Sequence, residues 1–386
     1  MSGADPSRRS IIGLDASRAL STAPTGTEAY SFHLIRALLP RLRPAYTARL
    51  YCRQPPPPTI REAFQDAELR VMPFPRLWTH IRLSGEMIVH PPDLLFVPAH
   101  VIPPVHPRRT LVTVHDVGYR TFPEAHPWRQ RLYLDLSTRW NVRAAAHVLV
   151  DSKATRDAVI EAYGAPAAKL TVAYPGFDRT LHPVRDTAAL TAVRRTYGIP
   201  GPYLLFMGRI QPRKNLTRLI EAFARIAPDH PDLTLVLAGP KGWLTEPIHQ
   251  TVETVGLGDR VRFPGYVAED DKAALISGAR AFVYPSLHEG FGFPALEAQS
   301  CGVPLLTSRT SSLPEVAGEG ALLVDPLNVG AIAAGIERVL SDADLRDALV
   351  VKGMENLARF SWERTGEVVH GVIEDLLRTG QSGPAR

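Results

Sequence analysis

The sequence predicts an α/β protein made of two doubly wound parallel sheets, and three observations lead there. Short apolar runs alternate with helical patterns, the order expected of parallel strands covered by helices on both faces. The 386 residues, 45% of them hydrophobic, exceed the usual span of one domain, roughly 100–200 residues, so two domains are expected. The residues that suggest chemistry fall just after the apolar runs, where open α/β sheets bind ligands.

In the first half, residues 11–14, 48–51, 93–97, 111–114 and 148–150 read as strands, and helices are expected near 28–39, 127–145 and 152–163. Ser152 supplies the hydroxyl cap that opens the last of these. In the second half the strands are 203–207, 233–238, 261–263, 281–284 and 304–306, with an amphipathic helix from Leu216 to Ile226. Asp342 and Asp344 have the spacing of an acidic metal pair but precede an amphipathic run, and they read better as a helix N-cap. The expected domains are 1–180 and 201–360, joined by a linker at 181–200 that carries Pro183 and Pro200 around a short charged helix.

The most informative stretch begins at Leu287 and His288 and runs Glu289-Gly290-Phe291-Gly292-Phe293-Pro294-Ala295-Leu296-Glu297-Ala298. A buried strand is broken by two glycines, and Pro294 is suited to the first helical position. Backbone N–H groups at a helix start, approached closely through glycines, make an anion site. Glu289 and Glu297 flank it, and carboxylates accept hydrogen bonds from sugar hydroxyls. Glu297 taken alone also reads as a complement to the helix macrodipole. A second segment, Met207-Gly208-Arg209-Ile210-Gln211-Pro212-Arg213-Lys214-Asn215, is a strand, a glycine turn and cations opening a helix. Arg209 and Lys214 can both point into one cleft and meet phosphate, whereas Arg213 reads as the bystander. Lys214 beside a helix start also reads as an ordinary surface charge.

The decapeptide from Glu289 to Ala298 resembles the signature of the retaining glycosyltransferases of family 4. The resemblance implies the GT-B architecture, two Rossmann-like domains facing a central cleft, with the donor on the C-terminal domain and the acceptor largely on the N-terminal one. It implies that Glu289 contacts the transferred sugar, that Gly290, Phe291, Gly292 and Phe293 lie against sugar and phosphate, and that Glu297 holds the ribose. It implies that Arg209 and Lys214 neutralise the donor diphosphate in place of a metal ion. The segment from Phe360 through Trp362 to Leu377 resembles the family's last helix, 361–380, crossing back to the first domain. In Val114-His115-Asp116-Val117-Gly118 it implies an active-site histidine, His115, beside the transferred sugar, with Asp116 orienting the loop or the histidine. Without the resemblance, a lone histidine after a strand is more often structural. His100 is a weaker candidate for the cleft rim.

Gly26, between Thr25 and Thr27, stands where the family often carries two glycines spaced by one residue, and close approach of a donor phosphate is expected there; an ordinary strand-to-helix turn remains open. Tyr174-Pro175-Gly176-Phe177-Asp178 resembles the interdomain turn without its asparagine. Pro264-Gly265-Tyr266-Val267 resembles the loop near the nucleotide base, which makes Tyr266 a base-side candidate.

Composition narrows the rest. Two cysteines, Cys52 and Cys301, give no disulfide framework, nothing at the N-terminus resembles a signal peptide, and no apolar run reaches the ~18 residues of a spanning helix. A cytoplasmic protein, peripheral at most to the inner membrane face, is expected. The formal charge of +5 is uneven, because residues 1–190 hold 24 Lys and Arg against 16 Asp and Glu. Such a basic half suits a phosphorylated acceptor, an anionic membrane surface or simple solvation. No nucleic-acid module accompanies it. The thirteen histidines show no metal spacing, and neither a metal nor a bound cofactor is expected.

The resulting expectation is metal-independent hexosyl transfer, with retention, from a nucleoside-diphosphate sugar to a glycan or lipid-linked acceptor hydroxyl. GDP-mannose is favoured over UDP- or ADP-sugars. A sugar-nucleotide epimerase of the same architecture and a non-catalytic polyanion-binding protein are the rival readings.

Overall fold

The computed structural model describes residues 9–20, 26–99, 101–123 and 126–379. His100 and Thr25 lie outside the described residues. In chain order the strands are β1 (Ile11–Asp15), β2 (Thr47–Cys52), β3 (Glu68–Val71), β4 (Leu94–Val97), β5 (Thr110–Val114), β6 (His147–Val150), β7 (Leu170–Val172), β8 (Tyr203–Met207), β9 (Thr234–Ala238), β10 (Val261–Gly265), β11 (Ala281–Tyr284), β12 (Leu305–Ser308) and β13 (Leu322–Val324). The helices of the first half are α1 (Gly26–Leu42), α2 (Pro58–Arg61), α3 (Ser84–Val89), α4 (Gly118–Thr121), α5 (Trp128–Ala144) and α6 (Lys153–Tyr163). Those of the second half are α7 (Thr187–Thr196), α8 (Leu216–Ile226), α9 (Glu246–Thr254), α10 (Glu269–Ser277), α11 (Phe293–Ser300), α12 (Leu313–Ala317), α13 (Val329–Ser341), α14 (Ala343–Asn356) and α15 (Trp362–Thr379).

The strands form two wholly parallel sheets, ordered β3-β2-β1-β4-β5-β6-β7 and β10-β9-β8-β11-β12-β13. Each is a Rossmann-like sheet whose order reverses once, between β1 and β4 in the first and between β8 and β11 in the second. Loops leaving the carboxyl ends of such a pair diverge to opposite faces and leave a crevice, which is why ligands bind there. Parallel strands covered on both faces read as continuous apolar runs, and Tyr203–Met207 and Ala281–Tyr284 are buried along their whole length. The edge strands β3, β7 and β13 escape a reading based on apolar runs, because they are short and only partly buried.

The chain folds as two compact units. The first takes its described residues from Met1–Val117, Arg129–Gly176 and Phe360–Arg386, the second from Gly118–Trp128 and Phe177–Arg359. The 181–200 stretch, expected as a linker, is part of the second unit: Leu181, Val193 and Ile199 are buried in its core. Prolines and charges mark the loops at its ends, but helical spacing of Leu190, Val193 and Tyr197 turns one face of α7 inward. Helix α15 belongs to the first unit, where Trp362 stacks on His33 with ring centroids 5.2 Å apart and meets Tyr30 edge-on at 5.7 Å.

In the second unit α8 buries Leu216, Leu219, Ile220, Phe223 and Ile226, a stripe at three- and four-residue spacing. Ser152 and Asp342 cap α6 and α14, accepting from the N–H groups of Thr155 and Leu345. Asp342 is therefore committed to a helix end.

The ends of β8, β9 and β10 come together through glycines. Gly208 N–H donates to Ala238 O at 2.9 Å and Gly239 N–H to Gly265 O at 2.7 Å. Gly239 has φ of +132°, and a Cβ there would stand 2.1 Å from Gly208 O. Gly239→Ala combines a backbone conformation reserved for glycine with a backbone clash, so it is expected to cost about 3 kcal/mol. The expected readout in scanning calorimetry is a lowered melting transition; an unchanged one would remove the close approach.

Candidate functional site

The two loops that leave the switch point of the second sheet hold the richest cluster of charge. After β8, Gly208 leads through Arg209 to a short 3₁₀ turn, Pro212–Lys214, and Asn215 follows in the left-handed region at φ of 62°. Asn215 Nδ2 donates to Pro285 O at 3.0 Å and to Pro326 O at 2.7 Å, so the first loop is tied to the second by buried hydrogen bonds. Leu287 N–H adds a backbone bond to Arg213 O at 3.0 Å.

After β11, the chain passes through Glu289 to Gly292, which has φ of +103° and opens α11. A Cβ at Gly292 would lie 2.8 Å from Leu313 Cδ2, so the position requires glycine on two grounds. The Ser312 hydroxyl donates to Glu289 O at 2.9 Å and Phe291 O at 2.7 Å, and Glu289 N–H donates to the Ser311 hydroxyl at 3.0 Å. Phe291 and Phe293 pack edge to face at 5.1 Å. Gly290 lies within this clamped turn, so the backbone beside α11 is held from below.

Glu289 is buried and its carboxylate is surrounded by donors. Lys214 Nζ donates to Oε1 at 2.6 Å, Tyr284 OH to the same oxygen at 2.9 Å, and Arg213 Nη1 to Oε2 at 2.8 Å. Lys214 also donates to Tyr284 OH at 2.5 Å, with its ammonium 4.9 Å from the ring centroid. Burial alone would raise the carboxyl pKa; the charges of Arg213 and Lys214 overcome it and hold Glu289 well below the usual carboxylate range. Burial, reinforced by the Glu289 charge, pushes the Tyr284 phenol well above its ordinary value.

Arg213, expected to be a bystander, is thus a direct partner of Glu289. Its carbonyl and guanidinium both serve the loop, because the 3₁₀ turn points it inward where a simple helix start would leave it outside. Arg209 is exposed and forms no ion pair among the described residues. Two cations, Arg213 and Lys214, against one carboxylate leave an excess of positive charge before the start of α11, and the helix dipole adds to it.

On α11, Glu297 Oε1 accepts from Lys272 Nζ of α10 at 2.8 Å. Burial opposes the lysine charge, yet Glu297 and Glu269 prevail and raise its pKa. Lys272 was not singled out in the sequence, because a lysine in the first turns of an acidic helix has no local signature. Tyr266 is exposed beyond the end of β10. A cavity of about 610 Å³ in this unit opens at the amino ends of the strands, beside Pro202, Leu233 and Pro304, and contains none of the motif residues. Among the described residues no group of three or more His, Cys, Asp and Glu is arranged to hold a metal ion.

In the first unit His115 ends β5. Its Nδ1 lies 2.7 Å from Asp151 Oδ2 and its Nε2 3.0 Å from Pro98 O. The partner carboxylate is Asp151 at the end of β6; Asp116, expected to orient the loop or the histidine, adds a charge near the ring. Strand register explains it: Val114 pairs with Val150, so the next residues, His115 and Asp151, emerge side by side. That pairing was legible in principle as a carboxylate following the neighbouring strand.

Burial opposes a charge on His115, and Asp151 overcomes it, so the imidazole pKa is raised. Two acceptors on the two ring nitrogens favour the doubly protonated form. The Tyr30 ring stands edge-on to His115 at 4.7 Å. Gly26 is the first residue of α1, and its Cβ position is open space.

Two outcomes are expected. Glu289→Gln should destabilise the second unit by roughly 3 kcal/mol at pH 7, because it leaves buried cations short of their counter-charge. The wild-type advantage is full above the ordinary glutamate value of 4.5 and fades as pH falls through the depressed native one, which melting curves across pH would read. Asp151→Asn should lower the His115 pKa, visible in ¹⁵N imidazole shifts; an unmoved titration would break the pair.

The profile of the group 1 glycosyl transferases matches residues 194–355, and that of Glycosyltransferase Family 4 matches residues 24–181. O-antigen chain mannosyltransferase B of Escherichia coli is 35% identical over 257 residues, covering 66% of this chain and 67% of the relative. D-inositol 3-phosphate glycosyltransferase of Acidothermus cellulolyticus is 31% identical over 289 residues, or 72% of this chain, which spans 62% of that relative's length. Among solved structures, Anabaena HepE in complex with UDP and glucose superposes with a TM-score of 0.71 at 20% identity, covering 95% of this chain and 100% of HepE.

Proposed function

This chain belongs to glycosyltransferase family 4, and we propose that it moves a hexose from a nucleoside-diphosphate sugar to a hydroxyl of a glycan or lipid-linked acceptor, with retention at the anomeric carbon. Mannose carried by GDP is the favoured donor; the support is the 35% identity to a relative named as a mannosyltransferase. The observation that carries the reading is the charge cluster at the β8–β11 switch point, where Arg213 and Lys214 meet a single carboxylate, Glu289, while Arg209 on the same loop is exposed.

On this reading Arg209 and Lys214, together with the start of α11, stabilise the diphosphate as the glycosidic bond breaks. The departing phosphate oxygen, on the face the acceptor approaches, takes the acceptor proton, so no side-chain base is needed. Glu289 accepts from Lys214, Tyr284 and Arg213, and a carboxylate's remaining lone-pair capacity meets a hexose hydroxyl on this reading. Its depressed pKa keeps that acceptor ionised. Gly290, Phe291, Gly292 and Phe293 form the backbone against which sugar and phosphate lie.

Glu297, steadied by Lys272, accepts from the ribose diol, and exposed Tyr266 offers a ring to the base. His115, kept charged by Asp151, donates to the transferred sugar once its Nε2 proton leaves the Pro98 carbonyl. Asp116 orients the loop that carries it, and Gly26 leaves room for a close approach at the start of α1.

The test is slow hydrolysis and binding across GDP-, UDP- and ADP-sugars without acceptor. GDP-mannose should be consumed with release of GDP, and Arg209→Ala and Lys214→Ala should each weaken GDP binding at least about tenfold, since each removes a charge-assisted contact to phosphate. Isomerised sugar without nucleotide release would establish the epimerase instead. No binding of any nucleotide would remove the donor site and leave a polyanion-binding protein.

A further inference from the structure

Helix α5 is inside out. A surface helix of a soluble domain turns its apolar residues to the core and its charges to water. The face of α5 that packs down holds buried Thr138, Asn141 and Val142. Asn141 Oδ1 accepts from Ile102 N–H at 2.9 Å, and Trp140 Nε1 donates to Ile102 O at 3.0 Å, so hydrogen bonds anchor the helix. Facing outward are Leu132, Leu136 and Trp140, 51%, 56% and 39% exposed, in register every four residues. Trp128, 64% exposed, begins the same series, and Tyr133 lies beside it at 46%. At 3.6 residues per turn these five side chains fall within an arc of about 140°.

The same helix carries Arg129, Arg131, Arg139 and Arg143 against one acid, Asp135, which pairs with Arg139 at 3.7 Å. Tyr133 at the edge of the stripe also lines a cavity of about 300 Å³ with Arg18, Arg53 and Leu77, and Leu77 is itself exposed. The basic, apolar surface therefore continues past the helix.

We propose that this face of α5 docks the protein on a lipid bilayer that carries anionic headgroups. The inference goes beyond the glycosyl-transfer reading and rests on different residues. Aromatic rings and leucines at one level, with arginines interleaved, suit a helix lying in the interface plane, apolar face among the acyl boundary and guanidinium groups among phosphates. The 17 residues give such a helix about 25 Å to lay flat. No described helix is long and apolar enough to cross a membrane, so the contact is interfacial. Charge selects the occupant: a second copy presenting this face would bring four arginines against four, and a soluble polyanion gives the leucine series nothing to bury.

The experiment is flotation of the full-length chain with vesicles of phosphatidylethanolamine and phosphatidylglycerol, against vesicles of phosphatidylcholine alone. Binding is expected on the anionic vesicles, at least about tenfold weaker on the neutral ones, and released by high salt. Leu132→Gln with Leu136→Gln should lower partitioning about tenfold, as should Arg131→Gln with Arg143→Gln, each without lowering the melting temperature because all four side chains face outward. Tryptophan quenching by brominated lipid in the unaltered protein provides a check independent of any variant. Equal binding to both vesicle types, no binding to either, or variants that float like wild type would overturn the proposal. So would sedimentation showing that the leucine variants dissolve a dimer that itself ignores vesicles.

Discussion

A buried carboxylate with three donors around it governs this protein's second unit. Stripping Glu289 of water is costly unless its charge is matched, and Arg213, Lys214 and Tyr284 match it from two different segments. That requirement fixes the rest. The loop after β8 must coil into a 3₁₀ turn to aim two consecutive cations inward, and Asn215 must adopt a left-handed backbone to close the turn and bind the loop after β11. Gly292 then has to turn sharply under Leu313 to begin α11. The anion-attracting ground beside α11 is a by-product of this neutralisation, because two cations, Arg213 and Lys214, serve one acid.

The first unit solves a similar problem with strand register. Parallel pairing of β5 and β6 delivers His115 and Asp151 to the same edge, one residue beyond the paired segment. The carboxylate raises the imidazole pKa and orients the ring, while Pro98 O occupies the other nitrogen. Both units therefore place their titratable groups at carboxyl edges of parallel sheets, where backbone geometry does the positioning before any side chain is chosen.

Much of this was legible from residue order. Fully buried strands such as Tyr203–Met207 and Ala281–Tyr284 announce themselves as apolar runs, and the glycine-broken turn before Pro294 marks a helix start. What escaped depends on long-range partners. Edge strands such as β3 have too little burial to imprint a pattern, and the short helix expected in 181–200 gave no sign that one face packs into the second unit's core. Arg213 is no bystander, because the tight 3₁₀ turn aims inward a residue that a smooth helix start would leave outside. Asp151 and Lys272 are ordinary in their local sequence and become informative only when β6 meets β5 and α10 meets α11. Helix α5 shows the converse: its periodic apolar stripe identifies a helix correctly, but only the structure reveals that the stripe faces away from the core.

The account's central claim is that Glu289 and its cations act as one unit in holding a nucleoside diphosphate. A double-mutant cycle on GDP binding by calorimetry, with Arg213→Met, Glu289→Gln and the pair, tests it most directly. Groups that share a hydrogen-bonded charge network couple by about 1–3 kcal/mol, so the double variant should bind far better than the sum of the single losses implies. Strictly additive losses, or binding indifferent to both substitutions, would contradict the claim.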